Sequence, residues 1–243
     1  MEPIIEIKNV TKIYKVGNER ITALDGVNLE INKGEFCCLL GTSGSGKSTL
    51  LNVMAGIERL TSGDIIIRGK KINKMSEREL SIFRQKYLGF IFQAYNLIGS
   101  LTAFENVELP LIFKEVPPKK RQKMVREIIK AVGLAGRSKH KPSQMSGGQQ
   151  QRVGIARAFV SSPEIVFADE PTGNLDSKTT MEIMHLIKSM AREYNQTIVM
   201  VTHDVRLAEF ADKVVHIHDG KINKIEERTE DVSMEGVEQW KSF

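Results

Sequence analysis

The residues from Gly41 to Ser48 form the most specific chemical pattern in this chain. They read Gly-Thr-Ser-Gly-Ser-Gly-Lys-Ser and fit the G-x-x-x-x-G-K-[ST] pattern of a phosphate loop. Glycines let the backbone approach a ligand closely, and successive N–H groups can then surround phosphate oxygens. Lys47 would contact the β- and γ-phosphates of ATP, and the Ser48 hydroxyl would bind Mg²⁺. The predicted phosphate-binding residues are Gly41, Thr42, Ser43, Gly44, Ser45, Gly46, Lys47, Ser48 and Thr49.

The segments on both sides of this phosphate loop are those that such a site needs. Residues 35–40 read Glu-Phe-Cys-Cys-Leu-Leu, an apolar run that predicts a buried parallel strand. Residues 50–54 are mostly apolar and predict a helix, whose positive end near Gly46 would face the phosphates. The alternative is a Gly/Ser-rich loop that matches by chance, and it would need neither flank.

A second anion site is predicted at Met145-Ser146-Gly147-Gly148-Gln149. A serine followed by two glycines at a helix start presents free N–H groups. A nucleotide already held in the phosphate loop does not need this second group of donors. We therefore predict that ATP is enclosed between two copies of the chain. Residues 146–148 are called the Ser146 turn below.

Two acids follow a third predicted feature, the apolar strand 165–168. In α/β proteins ligands bind at the carboxyl ends of the strands, and an aspartate there can hold Mg²⁺ through a water. Asp169 is therefore a candidate metal ligand, and Glu170 is the candidate that polarises the attacking water. Taken alone, the two acids could equally be a solvated pair at a strand end.

These motifs together resemble the nucleotide-binding subunit of ATP-binding-cassette (ABC) transporters, over almost the whole chain. The stretches 89–93, 149–152 and 170–176 are similar to the group that contains the macrolide-efflux ATPase MacB and the lipoprotein-releasing ATPase LolD. The cell-division ATPase FtsE is a near relative, but its signature usually has Glu where this chain has Gln149. Met145 stands where the family usually has Leu, and both residues are apolar and unbranched at Cβ.

The resemblance implies roles for residues that would be unremarkable alone. Tyr14 would pack an aromatic ring against adenine, although a tyrosine packed on a sheet is an equally good interpretation without the resemblance. Gln93 would contact Mg²⁺ or the attacking water and respond to the membrane partner. His203, after the predicted strand 197–201, would sense the γ-phosphate; without the resemblance it would be a polar residue satisfied by its neighbours.

The same resemblance implies how two subunits share a nucleotide. Ser146, Gly147 and Gly148, with Gln149 beside them, would bind the γ-phosphate of ATP held by the other subunit. Asp176 would help to couple the two sites across the dimer. The candidate metal-binding residues are then Ser48, Gln93 and Asp169.

Composition agrees with an ATPase that acts on a separate membrane protein. The chain has 243 residues, enough for one large domain with a subdomain. No run reaches the roughly 18 apolar residues of a membrane helix, and the N-terminus lacks a signal peptide. Any transport must therefore be done by another chain, and the resemblance implies a cytoplasmic homodimer that an integral membrane permease holds at the inner face of the membrane. Cys37 and Cys38 are adjacent and would point to opposite faces of one strand, which excludes a structural disulfide between them.

The formal net charge of +5 is modest. Six bases lie between Lys119 and Lys130; a basic helix could contact an anionic membrane surface or nucleic acid, but a solvated helix face is the usual explanation. We expect no nucleic acid partner. Residues 226–243 carry six acids against two bases and are either a docking tail or a loose end.

The hydrophobic patterns predict an α/β phosphate-loop NTPase. A parallel core would contain the strands 35–40, 165–168 and 197–201, with helices on both faces. An antiparallel β subdomain would contain 5–10, 21–24, 27–31 and 63–68, and residues 214–220 predict a late hairpin. A helical subdomain over about 97–152, with helices near 103–107 and 120–132, would be inserted into an ATPase domain of residues 1–225. The acidic tail would begin at 226.

Other classes use the same ATPase. DNA-maintenance proteins usually separate the two motifs by hundreds of coiled-coil residues, whereas here the gap is short and no heptad run is visible. Ribosome-associated factors usually carry two cassettes in one chain. An FtsE-like regulator, which moves a membrane partner without carrying cargo, has the same nucleotide site, so the sequence does not distinguish it from a transporter. The sequence does not identify the transported substrate either.

Overall fold

The computed structural model describes residues 3–228. The strands are β1 (Pro3–Val16), β2 (Glu19–Asn32), β3 (Phe36–Leu40), β4 (Ser62–Ile67), β5 (Lys70–Lys71), β6 (Leu88–Phe92), β7 (Ile165–Asp169), β8 (Thr197–Thr202), β9 (Lys213–His218) and β10 (Lys221–Glu227). The α-helices are α1 (Lys47–Met54), α2 (Glu77–Tyr87), α3 (Ala103–Phe113), α4 (Pro118–Ala131), α5 (Gly147–Phe159) and α6 (Ser177–Glu193).

A six-stranded sheet forms the centre of the fold, in the order β10-β9-β3-β8-β7-β6. The strands from β9 to β6 are parallel, and β10 pairs antiparallel with β9. Every residue of β3 and β8 is buried, as expected for a parallel sheet that helices cover on both faces. The predicted parallel core and late hairpin are confirmed.

A second, antiparallel sheet has the order β2-β1-β4-β5. Its strands alternate between buried and more exposed positions: Ile5 and Ile7 are buried on either side of Glu6, and Leu29 and Ile31 on either side of Glu30. One face of this sheet therefore packs on the core and the other faces water. The predicted antiparallel subdomain is confirmed.

The helices α3, α4 and α5 lie between β6 and β7 in the chain and form the inserted helical part. Ser146 caps α5 by accepting from the Gln149 N–H, and Gln149 accepts from the Ser146 N–H in return, a capping box that fixes where the helix begins. The helix continues to Phe159, past the predicted limit of the helical part at 152. It does so because Ile155, Ala158 and Phe159 are buried where α5 packs on β6.

The basic helix α4 buries one side only. Val125, Ile128 and Ile129 are buried, whereas Lys119, Lys120 and Lys123 are exposed. The ion pair between Arg121 and Glu108, at 2.7 Å, ties α4 to α3. This arrangement agrees with a solvated basic face.

Local sequence patterns predicted neither α2 nor β6. Helix α2 buries only Leu80 and Phe83, so its apolar stripe is narrow. Strand β6 contains Gly89, a residue rare in strands; a Cβ there would lie 2.5 Å from the Ala158 carbonyl oxygen.

The C-terminal boundary also needs a correction. Glu226 and Glu227, which we placed in the acidic tail, belong to β10. Residues 229–243 lie outside the described part of the chain. Within residues 3–228, none of the helices combines the length and the apolar composition needed to cross a membrane.

Candidate active site

The predicted site residues meet at one edge of the parallel sheet, where neighbouring strands end. In the register of the sheet Leu40 lies opposite Thr202, and Asp169 lies opposite both Val201 and Phe92. The residues that follow these strand ends are Gly41, Gln93, Glu170 and His203. This is the edge at which α/β proteins bind ligands.

The phosphate loop is packed against two other segments of the chain. A Cβ on Gly41 would overlap the Ile217 carbonyl group, and a Cβ on Gly46 would lie 2.5 Å from the Ala23 carbonyl oxygen. Gly46 also has φ +100°, a conformation that glycine adopts readily and other residues rarely do. The glycines are therefore needed for the shape of the loop as well as for access by a ligand.

The Lys47 side chain lies inside this loop. It is 5 % exposed, and its Nζ donates to the Thr42 carbonyl oxygen at 2.5 Å and to Ser45 Oγ at 3.4 Å. Burial lowers the Lys47 pKa, while the charges of Glu170 and Asp169 oppose that shift. A buried ammonium whose bonds go only to neutral oxygens is suited to accept an anion such as phosphate.

Ser48 and Asp169 come together as predicted for a metal site. Ser48 Oγ donates to Asp169 Oδ1 at 3.3 Å. Burial is the main cause that raises the Asp169 pKa, and the nearby charge of Glu170 raises it further. A hydroxyl and a carboxylate are oxygen ligands of the kind that Mg²⁺ prefers. No group of three or more metal-binding His, Cys, Asp or Glu side chains occurs in the described residues, so a metal here would need oxygens from the nucleotide as well.

Glu170 is held in an unusual conformation next to His203. Its φ is 42°, and its backbone N–H donates to the Val201 carbonyl at 3.0 Å. His203 Nδ1 lies 3.0 Å from Glu170 Oε1. A carboxylate can only accept a hydrogen bond, so Nδ1 is the donor. A polar cavity of about 170 Å³ lies beside the pair, lined by Asp204 and Arg206 among others.

Gln93 lies at the same edge but packs against the segment after Glu170. A Cβ on Gly173 would lie 2.6 Å from Gln93 Nε2, and Asn174 Nδ2 donates to the Gln93 carbonyl at 3.1 Å. The Gln93 side chain therefore touches the loop that carries Glu170.

Tyr14, on β1, lies near the end of the phosphate loop. Its hydroxyl donates to Glu58 Oε2 at 2.7 Å and lies 3.5 Å from Thr49 Oγ1. The Lys12 ammonium lies 4.7 Å from the centre of the ring and forms an ion pair with Glu58 at 3.0 Å. Burial raises the Tyr14 pKa. The ring is thus fixed beside residues 41–49.

The Ser146 turn satisfies its own side chains. Ser146 Oγ accepts from the Gln149 N–H at 3.3 Å, and Gln149 Oε1 accepts from the Ser146 N–H at 3.1 Å. Asp176 plays a similar part at α6, where it accepts from the Thr179 N–H and hydroxyl; the Thr179 hydroxyl bond is the main cause that lowers the Asp176 pKa. Hydrogen bonds within the chain therefore fix both helix starts.

Two residues that the sequence analysis did not single out belong to this region. Gln151 is buried and donates to the Pro171 carbonyl, next to Glu170. Arg157 donates to the Tyr95 and Asn96 carbonyls, just after Gln93. The hydrogen-bond acceptors of Gln151 and Arg157 are distant in the sequence, so no local pattern could have revealed these two residues.

The fold and the site together define an ABC-type ATPase cassette. The family described as "ABC transporter" matches residues 24–173. The chain belongs to this family.

Several known proteins are similar to this chain over most of its length. It is 49 % identical over 222 residues to an uncharacterized ABC transporter ATP-binding protein of Methanocaldococcus jannaschii, covering 91 % of this chain and 99 % of the relative. A Thermotoga maritima protein of the same description is 45 % identical over 228 residues, or 94 % and 97 % of the two chains. The macrolide export ATP-binding/permease protein MacB of Vibrio parahaemolyticus is 43 % identical over 90 % of this chain, which spans only 33 % of MacB.

A solved structure has the same fold. The ATP-binding cassette MJ0796, in a dimeric post-hydrolysis state bound to ADP and Pi, matches with a TM-score of 0.86 and 46 % identity, covering 93 % of this chain and 99 % of that one. The predicted fold class and family resemblance are confirmed.

Proposed function

We propose that this chain is the ATP-hydrolysing subunit of an ABC transporter and that two copies close head-to-tail on two ATP molecules to drive a separate permease. The observation that carries the proposal is that one chain holds two helix starts suited to phosphate. The phosphate loop holds a buried lysine without a carboxylate bond, and the Ser146 turn begins a helix with exposed Ser146. The dimeric cassette MJ0796 with ADP and Pi supports this assignment.

The residues around the phosphate loop would bind and orient the triphosphate. Lys47 exchanges its bond to the Thr42 carbonyl for stronger charge-assisted bonds to phosphate oxygens. Ser48 and Asp169 would hold Mg²⁺, which would offset the negative charge of the triphosphate when bound. The Tyr14 ring would pack against adenine.

Glu170 would act as the general base. Its carboxylate follows the strand end that carries Asp169, and its Oε1 accepts from His203 Nδ1. That hydrogen bond keeps the carboxylate in one orientation from which it can accept a proton from water. Gln93, packed on the same loop, would help to place that water, and His203 would contact the γ-phosphate.

Closure of the dimer would depend on the γ-phosphate. The Ser146 turn of one copy would donate to the γ-phosphate held in the phosphate loop of the other, in an arrangement with two-fold symmetry. Hydrolysis removes the shared group, and the two copies can then separate. This is the two-state behaviour of other nucleotide switches.

The partner would be an integral membrane permease, and the protein would act at the cytoplasmic face of the membrane. MacB, whose name combines an ATP-binding part with a permease part, matches this chain over 33 % of its own length. We expect a cytoplasmic helix of the permease to bind the surface around Gln93 and the helical segment 97–130, which includes the exposed apolar side chains Ile112 and Phe113.

The central experiment compares nucleotide-dependent assembly. Glu170→Gln keeps the size of the side chain but cannot accept a proton, so bound ATP should persist. The variant should elute as a monomer without nucleotide or with ADP, and as a dimer with ATP, on size-exclusion chromatography. The double variant Lys47→Ala/Glu170→Gln is the control and should stay monomeric. If Glu170→Gln stays monomeric although calorimetry shows bound ATP, the shared-nucleotide mechanism is wrong.

A second experiment tests the partner. Cysteines introduced at Leu97 or Phe104 should cross-link in cells to an integral membrane protein, because these half-buried positions lie at the start of the helical part. The native Cys37 and Cys38 are buried and provide the background. Capture of ribosomal or DNA-binding proteins instead would contradict the assignment of a permease partner.

A further inference from the structure

The segment after β6 contains two adjacent residues with left-handed backbone. Tyr95 has φ 59° and Asn96 has φ 47°. Asparagine tolerates this region, whereas tyrosine adopts it at a cost. Such conformations persist only where the surroundings hold them. Residues 93–96 are called the Gln93 loop here.

Arg157, on α5, holds this loop. Its guanidinium donates to the Asn96 carbonyl and, at 2.8 Å, to the Tyr95 carbonyl. Burial lowers the Arg157 pKa, so the two carbonyls replace water as the partners of a charged donor. Charge-assisted hydrogen bonds of this kind are strong, and the planar guanidinium gives them a defined geometry. The backbone of the Gln93 loop is thus attached to the second half of α5.

The Tyr95 side chain contacts the first residue of the same helix. A Cβ on Gly147 would lie 2.7 Å from the Tyr95 hydroxyl oxygen and 3.7 Å from Tyr95 Cζ. Gly147 belongs to the Ser146 turn. The Gln93 loop therefore contacts α5 at two places, through its carbonyls at Arg157 and through the tyrosine ring at Gly147.

The same face of α5 also reaches the segment that carries Glu170. Gln151, one turn after Gly147, donates to the Pro171 carbonyl. Leu175 Cδ2 would lie 3.5 Å from a Cβ on Gly147. Helix α5 is in this way linked to both loops that flank the proposed hydrolysis site.

We propose that Arg157 and Tyr95 are positioning residues, which fix the Ser146 turn relative to the Gln93 loop and so present it to the second copy in one orientation. This inference rests on the proposed function, in which that turn completes the partner's ATP site. Neither side chain has to touch ATP in its own subunit. Their loss should weaken ATP-driven dimerisation and leave ATP binding by the monomer unchanged.

The first test places Arg157→Gln in the Glu170→Gln background. The ATP concentration that gives half-maximal dimer on size-exclusion chromatography should rise about tenfold, the effect of losing a charged hydrogen bond. The affinity of the dilute monomer for ATP, measured by calorimetry, should not change. Arg157→Lys keeps one charged donor and should restore part of the loss.

Arg152→Gln is the matched control. Arg152 lies on the same helix, but its guanidinium donates to the Val132 carbonyl and to Glu182, away from the Gln93 loop. This variant should dimerise at the ATP concentration of the background. The proposal is overturned if Arg157→Gln also dimerises at that concentration. If the Glu170→Gln background itself does not dimerise, the proposed function fails instead.

A second test avoids the loss of the buried arginine. Gly147→Ala, in the same background, should weaken dimerisation because its methyl group meets the Tyr95 hydroxyl. Adding Tyr95→Phe removes that oxygen, leaves Cζ at an ordinary contact distance of 3.7 Å, and should restore dimerisation. No restoration by Tyr95→Phe would show that the ring does not position the turn.

Discussion

The phosphate loop and the Ser146 turn both lie at a helix start and are both proposed to bind phosphate, but they differ in how far their own chain encloses them. The phosphate loop is enclosed by its own chain: Lys47 is buried, and Gly41 and Gly46 lie against carbonyl groups of other strands. Ser146 is exposed, and its hydroxyl accepts from Gln149 of its own turn. In the proposed function, the phosphate loop is a complete binding site, and the Ser146 turn is half of a site that a second copy would complete.

The largest predicted effect is on the rate of ATP hydrolysis beside the phosphate loop. Glu170→Gln should lower the ATP hydrolysis rate by ~10²–10⁴-fold, the usual cost of losing a general base. ATP binding should survive because Lys47, Ser48 and the loop amides are unchanged. Steady-state phosphate release, compared with nucleotide affinity from calorimetry, separates the two quantities. Hydrolysis at the wild-type rate would mean that Glu170 is not the base.

Lys47→Ala should weaken ATP binding by ~10–100-fold, the range expected for the loss of a charged hydrogen-bond donor, and turnover should become undetectable. Calorimetric titration measures the affinity. The thermal midpoint should not fall, because Lys47 bonds only to neutral oxygens within its loop.

A second buried lysine provides the control for Lys47. Lys213 is 4 % exposed and lies 2.9 Å from Glu35 Oε1. Lys213→Met leaves that mostly buried carboxylate without its cationic partner and should lower stability by about 3–5 kcal/mol, while any folded protein still binds ATP. Equal losses of thermal stability in the two variants would contradict a purely ligand-binding role for Lys47.

Ser146→Ala should affect the half-site in two measurable ways. Loss of the helix cap costs about 1 kcal/mol of stability, and loss of the hydroxyl should reduce ATP-driven dimerisation in the Glu170→Gln background. Ser76→Ala removes an equivalent capping box at α2 and should cost similar stability without affecting dimerisation. Dimerisation that falls equally in both variants would show that only helix capping matters.

The smallest predicted effect concerns cysteine reactivity, which compares the exposure of β3, before the phosphate loop, with that of the Ser146 turn. Burial raises the Cys38 pKa to about 12 and the Cys37 pKa well above its ordinary value, so both thiols of β3 should be inert at pH 8. Ser146→Cys should add one thiol that reacts at the rate of a free cysteine. Labelling with a thiol reagent before and after denaturation measures the reactivity of the two native thiols and of the introduced one. Rapid labelling of the wild type would show that the strand before the phosphate loop opens readily.

Most of the fold and most of the candidate site could be predicted from local sequence. Strand β3, the phosphate loop and α1 follow one another within twenty residues, and each has a recognisable local pattern. Their order is the one expected of a phosphate-binding site. Helix α2 and strand β6 could not be predicted with the same ease. The helix has a narrow apolar stripe. The strand contains Gly89, which is needed there because a Cβ would lie too close to the Ala158 carbonyl oxygen.

The geometry that depends on distant partners was beyond local patterns. The left-handed conformation of Glu170 is stabilised by the Val201 carbonyl of a neighbouring strand. Arg157 lies in a helix whose sequence indicates only that it is amphipathic, yet its partners are 61 and 62 residues away. A residue type can suggest that a donor is present, but only the fold identifies the acceptor.

The packing of the phosphate loop also has a consequence for biosynthesis. The Gly220 N–H donates to the Ser45 carbonyl at 3.0 Å, and the Asp25 N–H donates to the Gly220 carbonyl at 2.9 Å. The β9–β10 turn therefore braces a loop that the ribosome completes much earlier. Because domains fold as the chain emerges from its N-terminal end, a nascent chain that has not yet released Gly220 lacks this brace. The phosphate loop is thus synthesised well before the turn that braces it.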